Sequence, residues 1–270
     1  MIKILIKKTL GLLSPKTLEV LRAIKSRRNV TLLGRQNGAT ATSRKIALAL
    51  GLKVHAGPFE GMRFPDALRD RPIAPKLLGT YEQELHKFLA DAIAALPDKV
   101  VIVGSAEGYY AVGLGRAIPS GEVMAFDIDP WARARCREMA DLNGVAARFQ
   151  MRSFCKPSDL LALRGQKALV VSDCEGFEYR LFTPEVVAAL LKSSVIIETH
   201  PDVSEGDNAA LSGMFGRTHS VQTITFQANA RACSEKFAAI LSDSEFARAV
   251  DEGRFPGQQW LCAKPQTQVV

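Results

Sequence analysis

The chain has 270 residues, 47% apolar and 23% charged, with a formal net charge of +7. That composition describes a globular chain able to bury a full core, and it excludes a disordered or low-complexity protein. Five cysteines, Cys136, Cys155, Cys174, Cys233 and Cys262, are scattered without a C-x-x-C pair, which argues against a zinc site or a disulfide framework and for a reducing compartment.

The basic excess belongs to the N-terminus. Residues 1–56 hold 12 Lys and Arg and one acid, Glu19, against 23 basic and 27 acidic residues in the remainder. Lys3, Lys7, Lys8, Lys16, Arg22 and Lys25 lie among Ile2, Ile4, Leu5, Leu10, Leu13, Leu18 and Leu21, which predicts one or two basic amphipathic helices broken near Ser14 and Pro15. Such helices either touch an anionic membrane or an acidic partner, or pack on the core with a solvated basic face. Aromatic residues that stack on bases are missing from the segment, so no nucleic-acid partner is expected. No apolar run reaches the ~20 residues of a bilayer span, and the start lacks the small-residue cleavage site of a secretory signal. A cytoplasmic protein is expected.

From Asn29 to Arg71 turn signals dominate, among them Gly34, Asn37-Gly38, Gly57-Pro58 and Gly61, which predicts an irregular lead-in that wraps a main domain. Residues 1–75 are therefore read as a basic, helical and irregular extension, and residues 76–270 as the main domain. Leu85, Phe88, Leu89, Ala92, Ile93 and Leu96 recur at helical spacing and Pro97 follows, which predicts a helix from Tyr81 to Leu96. Strands and helices then alternate: strand Val100 to Val103, helix Tyr109 to Ile118, strand Glu122 to Phe126, helix Trp131 to Leu142 and strand Ala147 to Met151. A short helix from Ser158 to Leu163, strand Ala168 to Val171, helix Pro184 to Leu191 and strand Val195 to Ile197 complete the series. This alternation calls for a parallel sheet covered on both faces, with ligands at the carboxyl ends of its strands. The tail predicts a helix from Asn208 to Phe215, a strand from Ser220 to Phe226, helices between Ser234 and Val250, and a last strand at Gln259 to Ala263.

The first strand runs into Gly104-Ser105-Ala106-Glu107-Gly108 and the second ends at Asp127, followed by Ile128. Glycines without a Cβ let a ligand lie against the main chain, and an ionised carboxylate offers two acceptor oxygens to a pair of ribose hydroxyls. The layout suits an adenosine. A dinucleotide turn reads G-x-G-x-x-G, whereas this one reads G-x-x-x-G with Glu107 inside, where a carboxylate repels a pyrophosphate and favours a cation. The cofactor expected is thus S-adenosylmethionine, and an NAD-dependent oxidoreductase is disfavoured. A second cluster follows the fourth and fifth strands: Asp173, Glu175 and Glu178, then Glu198 and His200. Asp173, Glu175 and His200 are the candidate bases, with His200 favoured because an unperturbed imidazole titrates near neutrality. Glu178 is read as a helix cap or a solvated turn residue. No metal is expected, although Asp173, Glu175 and Glu198 offer an alternative reading as Mg²⁺ ligands. A non-catalytic module using its basic N-terminus is the alternative from another class.

Val101-Ile-Val-Gly-Ser-Ala-Glu-Gly-Tyr-Tyr, Val123-Met-Ala-Phe-Asp-Ile-Asp-Pro, Leu142-Asn-Gly and Asp173-Cys-Glu-Gly-Phe-Glu resemble the successive motifs of FkbM-type class I methyltransferases. The resemblance runs from about Tyr81 to Pro201, and the strand at Trp260 is similar to the last strand of that fold. It implies a Rossmann-like, seven-stranded, mostly parallel sheet with helices on both faces and the last strand antiparallel. It also implies S-adenosylmethionine as donor and a hydroxyl oxygen of a small-molecule or saccharide acceptor. Carried over, Gly104, Ser105 and Gly108 form the cofactor turn, Asp127 with Ile128 holds the ribose, and Asp173 opens the acidic turn beside the methyl group. Ile102 stands where the family has an acid, which leaves Glu107 as the substitute at the amino-acid end. The lysine common before the fourth-strand acid is missing, and Cys174 replaces an aliphatic residue.

Overall fold

The computed structural model describes residues 25, 28–30, 32–200, 207–227, 235–254 and 257–266. The basic helices expected over residues 1–28 lie almost wholly outside that range, as do Pro201 and Cys233.

Seven strands form one sheet: β1 (Lys99–Val103), β2 (Glu122–Phe126), β3 (Phe149–Arg152), β4 (Ala168–Ser172), β5 (Ser194–Thr199), β6 (His219–Thr225) and β7 (Gln259–Pro265). Their order is β3-β2-β1-β4-β5-β7-β6. β1 pairs in parallel with β2 on one side and β4 on the other, so that Val103 is level with both Phe126 and Ser172. β7 runs antiparallel to β5 and β6, with Glu198 opposite Trp260. The sheet is the Rossmann-like, seven-stranded, mostly parallel arrangement expected from sequence, with the last strand antiparallel.

Strand burial follows from the two covered faces. Residues of a strand alternate between faces, and in β1 Val100 and Ile102 enter one apolar cluster while Val101 and Val103 enter the other. Every residue of β4 is buried, as a central parallel strand requires. At the edges the pattern relaxes, and β3 alternates between half-buried and exposed.

The lead-in holds more order than its turn signals suggest. An α-helix spans Ala39–Leu50, and a shorter one Ala74–Leu78. The first was missed because its buried face begins with Thr40, Thr42 and Ser43, small polar residues of modest helix propensity that blur the apolar period. Ser43 Oγ donates to Ala39 O (2.8 Å) and accepts from Ile73 N (3.0 Å), tying that helix to the second. Val54, Phe59, Met62, Phe64 and Leu68 are buried in the same cluster as Val100 and Ile102 of β1. The predicted helix from Tyr81 starts later than expected, as a 3-10 turn at Gln83–Leu85 followed by an α-helix at His86–Ala94. β5 is two residues longer at its carboxyl end than its apolar run indicated, so Glu198 lies inside the strand and not beyond it.

Candidate active site

The turn after β1 is tied to β2. Gly104 N and Ser105 N both donate to Phe126 O at 2.9 Å. Gly104 has φ +82°, and a Cβ there would lie 1.6 Å from Asp173 O, so the glycine is demanded by the approach of the β4 turn. At Gly108, φ +108°, a Cβ would meet Cys136 Sγ at 3.0 Å. Both glycines thus answer to packing of chain on chain, and Gly104 also lines the cleft at the carboxyl ends of the strands. Ser105 is buried, its hydroxyl 3.9 Å from Met151 Sδ, and Ile128 is half-buried with its carbonyl accepting from Arg133 Nη1 at 3.0 Å.

Asp127 joins the two turns. Its Oδ2 accepts from Ala106 N (2.8 Å) and its Oδ1 from Asp129 N (2.7 Å). Burial pushes its pKa up to about 6 despite these two hydrogen bonds. One bond on each oxygen leaves acceptor capacity on both.

Glu107 is not the bare carboxylate its place in the sequence suggested. It is largely buried and paired with Lys76, whose ammonium also lies 4.6 Å from the Tyr81 ring centroid and 5.5 Å from that of Tyr109. Burial alone would raise the Glu107 pKa, but the Lys76 cation outweighs it and holds the carboxyl low. The repulsion of a pyrophosphate inferred from Glu107 is therefore largely compensated.

The second cluster gathers as its strands predict, with three corrections. Glu178 is completely buried and not solvated, and it accepts from Gly176 N (2.9 Å), His200 N (2.7 Å) and His200 Nδ1 (3.0 Å). That leaves His200 Nε2 facing Asp173 Oδ1 at 3.7 Å and Glu198 Oε1 at 3.8 Å. Glu175 is exposed at φ +54° and stands outside this group. Asp173 Oδ1 is buried with no hydrogen-bond partner among the described residues, and burial, together with Glu198 and Glu175, pushes its pKa well up. For His200 burial works downward, but the bond from Glu178 and the charges of Asp173, Glu178 and Glu198 win and raise its pKa to about 9. An imidazole titrating near neutrality was the wrong expectation. His200, Asp173 and Glu198 titrate as an interacting set.

Arg254 was not singled out from sequence. Its guanidinium contacts Glu82, Glu198 and Glu252 (Nε to Oε2, 3.0 Å), donates to Tyr81 Oη at 3.1 Å, and lies 5.0 Å from the Trp260 ring centroid. Tyr110 Oη donates to Glu82, and Glu82 N donates to Glu252 Oε1 at 2.9 Å. Burial raises Glu198 to about 6 and Glu252 to about 7. The one signal in the sequence was the Tyr81-Glu82 pair ahead of an apolar helix, which carried no motif of its own.

Part of this set lines a small cleft, partly open to solvent, over the carboxyl ends of β1, β4 and β5. Gly104, Ala106, Tyr109, Asp173 and Glu198 line it, together with Lys76, Tyr81, Glu82 and Trp260. Asp173, Glu198 and His200 each bring one ligand atom within 4.8 Å of the others, a spacing a divalent cation can bridge.

No family model matches the chain. A stretch of 89 residues, 33% of the chain, is 36% identical to a release factor glutamine methyltransferase of Deinococcus radiodurans and covers 30% of that enzyme. The chain thus spans under a third of the length of this relative. Among solved structures, it is similar to the O-methyltransferase TomG of Streptomyces achromogenes, in complex with SAM, at a TM-score of 0.46 and 14% identity over 70% of this chain and 89% of that one. It is also similar to an O-methyltransferase of Bacillus cereus in complex with SAH, at a TM-score of 0.44 and 12% identity over 68% and 80% of the two chains.

Proposed function

We propose that this protein is an S-adenosylmethionine-dependent methyltransferase of the FkbM type, transferring a methyl group to a hydroxyl oxygen of a small-molecule or saccharide acceptor in the cytoplasm. The observation that carries the reading is the arrangement along one sheet edge. Asp127, with spare acceptor capacity, is bonded to the β1 turn, and a proton-handling cluster of Asp173 and His200 stands beyond it at the ends of β4 and β5. The 89-residue likeness to a methyltransferase points the same way. The donor set fits the cofactor: a carboxylate for ribose hydroxyls, and an otherwise acidic cleft for a ligand carrying a sulfonium and an ammonium.

The cofactor supplies an electrophilic methyl carbon bonded to a positive sulfur. The protein positions an acceptor hydroxyl in line with that bond, which removes much of the entropic barrier. Glu178 fixes Nδ1 of His200, so Nε2 is the nitrogen that takes the hydroxyl proton. Asp173 Oδ1, 3.7 Å from Nε2, stands where it favours the imidazolium that this transfer forms. Calorimetry tests the reading: the protein binds S-adenosylhomocysteine and not NAD, and Asp127→Ala weakens that binding by about 1–3 kcal/mol, the scale of a hydrogen bond to a charged group. Unchanged affinity in the variant, or preference for NAD, overturns it.

The ligand spacing of Asp173, Glu198 and His200 favours a second reading, in which a divalent cation lowers the pKa of the acceptor hydroxyl. Glu178 on the far nitrogen of His200 is the support that metal-bound imidazoles commonly have. His200 here replaces Glu175 of the set expected from sequence. Labelled methyl transfer that a chelator abolishes and Mg²⁺ restores selects this reading over the imidazole base.

A further inference from the structure

We infer that Lys76 is the group that receives the carboxylate of the cofactor's amino-acid end, an inference that rests on the methyltransferase reading above. The cleft is acidic: Glu82, Asp173 and Glu198 line it, and of its lining residues Lys76 is the one with a cationic side chain. Arg254 lies behind that lining, its charge met by three carboxylates. A zwitterionic ligand entering this space finds acids for its ammonium and sulfonium, but its carboxylate is repelled everywhere except at Lys76.

Lys76 is also built to stay in place. Among the described residues Glu107 accepts its one hydrogen bond, and the Tyr81 and Tyr109 rings flank its ammonium. An ammonium has three donors, so the bond to Glu107 anchors Nζ while two N–H groups remain for a carboxylate. Through Glu107, Nζ is tied to the turn between Gly104 and Gly108, the same turn whose Ala106 N–H is bonded by Asp127. The role expected of Glu107 from sequence thus passes to Lys76, in the helix Ala74–Leu78. Glu107 does not meet the ligand; it positions Lys76, which does. The loss of the family's acid at Ile102 is consistent with an amino-acid end held from another direction.

The test compares two adenosyl ligands by calorimetry on the full chain. S-adenosylhomocysteine carries the amino-acid end; 5′-methylthioadenosine lacks it. Lys76→Met leaves Glu107 buried without its cation, so the double variant Lys76→Met/Glu107→Gln is measured beside it. Both variants are expected to lose roughly ten- to hundredfold in affinity for S-adenosylhomocysteine, while affinity for 5′-methylthioadenosine stays within about twofold. Equal loss for both ligands in the double variant, or no loss for either, overturns the role of Lys76. Wild-type protein that binds both ligands equally overturns it too, and leaves the methyltransferase reading standing. Wild-type protein that binds neither removes the methyltransferase reading and this inference with it.

Discussion

His200 and the acids around it set the pH behaviour expected of this site. His200 is surrounded by Glu178, Asp173 and Glu198, which raise its pKa from 6.5 to about 9. If Nε2 takes the acceptor proton, the rate rises with pH and levels near 9. Glu178→Gln keeps an acceptor for Nδ1 but removes a buried charge, so the rising limb moves to lower pH; a limb that stays where it was removes His200 from the proton transfer. The same shift bears on stability. A raised histidine pKa contributes stability that is fully present below the unfolded value of 6.5 and is lost as pH rises through about 9. Denaturant midpoints across that window should fall in the wild type and flatten in His200→Gln. None of this was legible in the sequence, because Glu178 reaches His200 across 22 residues of chain and each residue by itself is an ordinary polar group.

At the scale of elements, two contacts fix the cleft. The turns after β1 and β4 touch at Gly104, where a Cβ would lie 1.6 Å from a carbonyl oxygen. Gly104→Ala should cost more than about 3 kcal/mol in chemical unfolding. Gly144→Ala, at φ +70° with nothing within 4 Å, should cost only the roughly 1–2 kcal/mol of left-handed backbone. Similar losses in the two variants would show that backbone strain and not contact makes Gly104 necessary. The second contact is Arg254, which joins the residue ahead of the first long helix of the main domain (Glu82) to β5 (Glu198) and to the tail (Glu252). Arg254→Met leaves three buried carboxylates without their cation, and losing a partner of that kind costs about 3–5 kcal/mol. Burial already raises Glu198 to about 6 and Glu252 to about 7 with Arg254 holding both down; without that cation they take up protons at higher pH, so the variant should regain stability as pH falls, beginning above 7. A loss independent of pH would assign the effect to packing on Tyr81 and Trp260.

Over the whole molecule, the lead-in and the sheet share one core. Phe59, Met62, Phe64 and Leu68 are buried with Val100 and Ile102, and Gly113 in the helix after β1 leaves room for the Phe59 ring, which a Cβ would meet at 2.5 Å. A chain starting at Lys76 should therefore fail to show a cooperative thermal transition, whereas one starting at Asn29 should fold and bind S-adenosylhomocysteine like the full chain. We further propose that the basic residues before Asn29 attract the protein to anionic surfaces. Sedimentation with anionic liposomes checks this, because the full chain should bind in a salt-sensitive way and the Asn29 chain should not. Equal behaviour of the two would leave residues 1–28 no surface role. No helix among the described residues is long and apolar enough to cross a membrane.

The sequence by itself determined the sheet, its helices and the edge where chemistry gathers. Strand runs such as Val100–Val103 and Ala168–Val171, glycine turns and apolar periods are local patterns that a buried parallel sheet must repeat. It also placed Asp127, Asp173 and His200 at strand ends, since a strand's direction carries its last residue to the same edge as its neighbours. Only the tertiary structure decided what those residues do there. Lys76 neutralises Glu107, Glu178 holds His200, Arg254 gathers three acids, and Gly104 makes way for Asp173. Apart from Arg254 and Glu252, which are neighbours in the chain, these sequence separations run from 22 to 172 residues. Charge, burial and contact at such separations depend on which chain segments meet, and local sequence pattern holds no record of that.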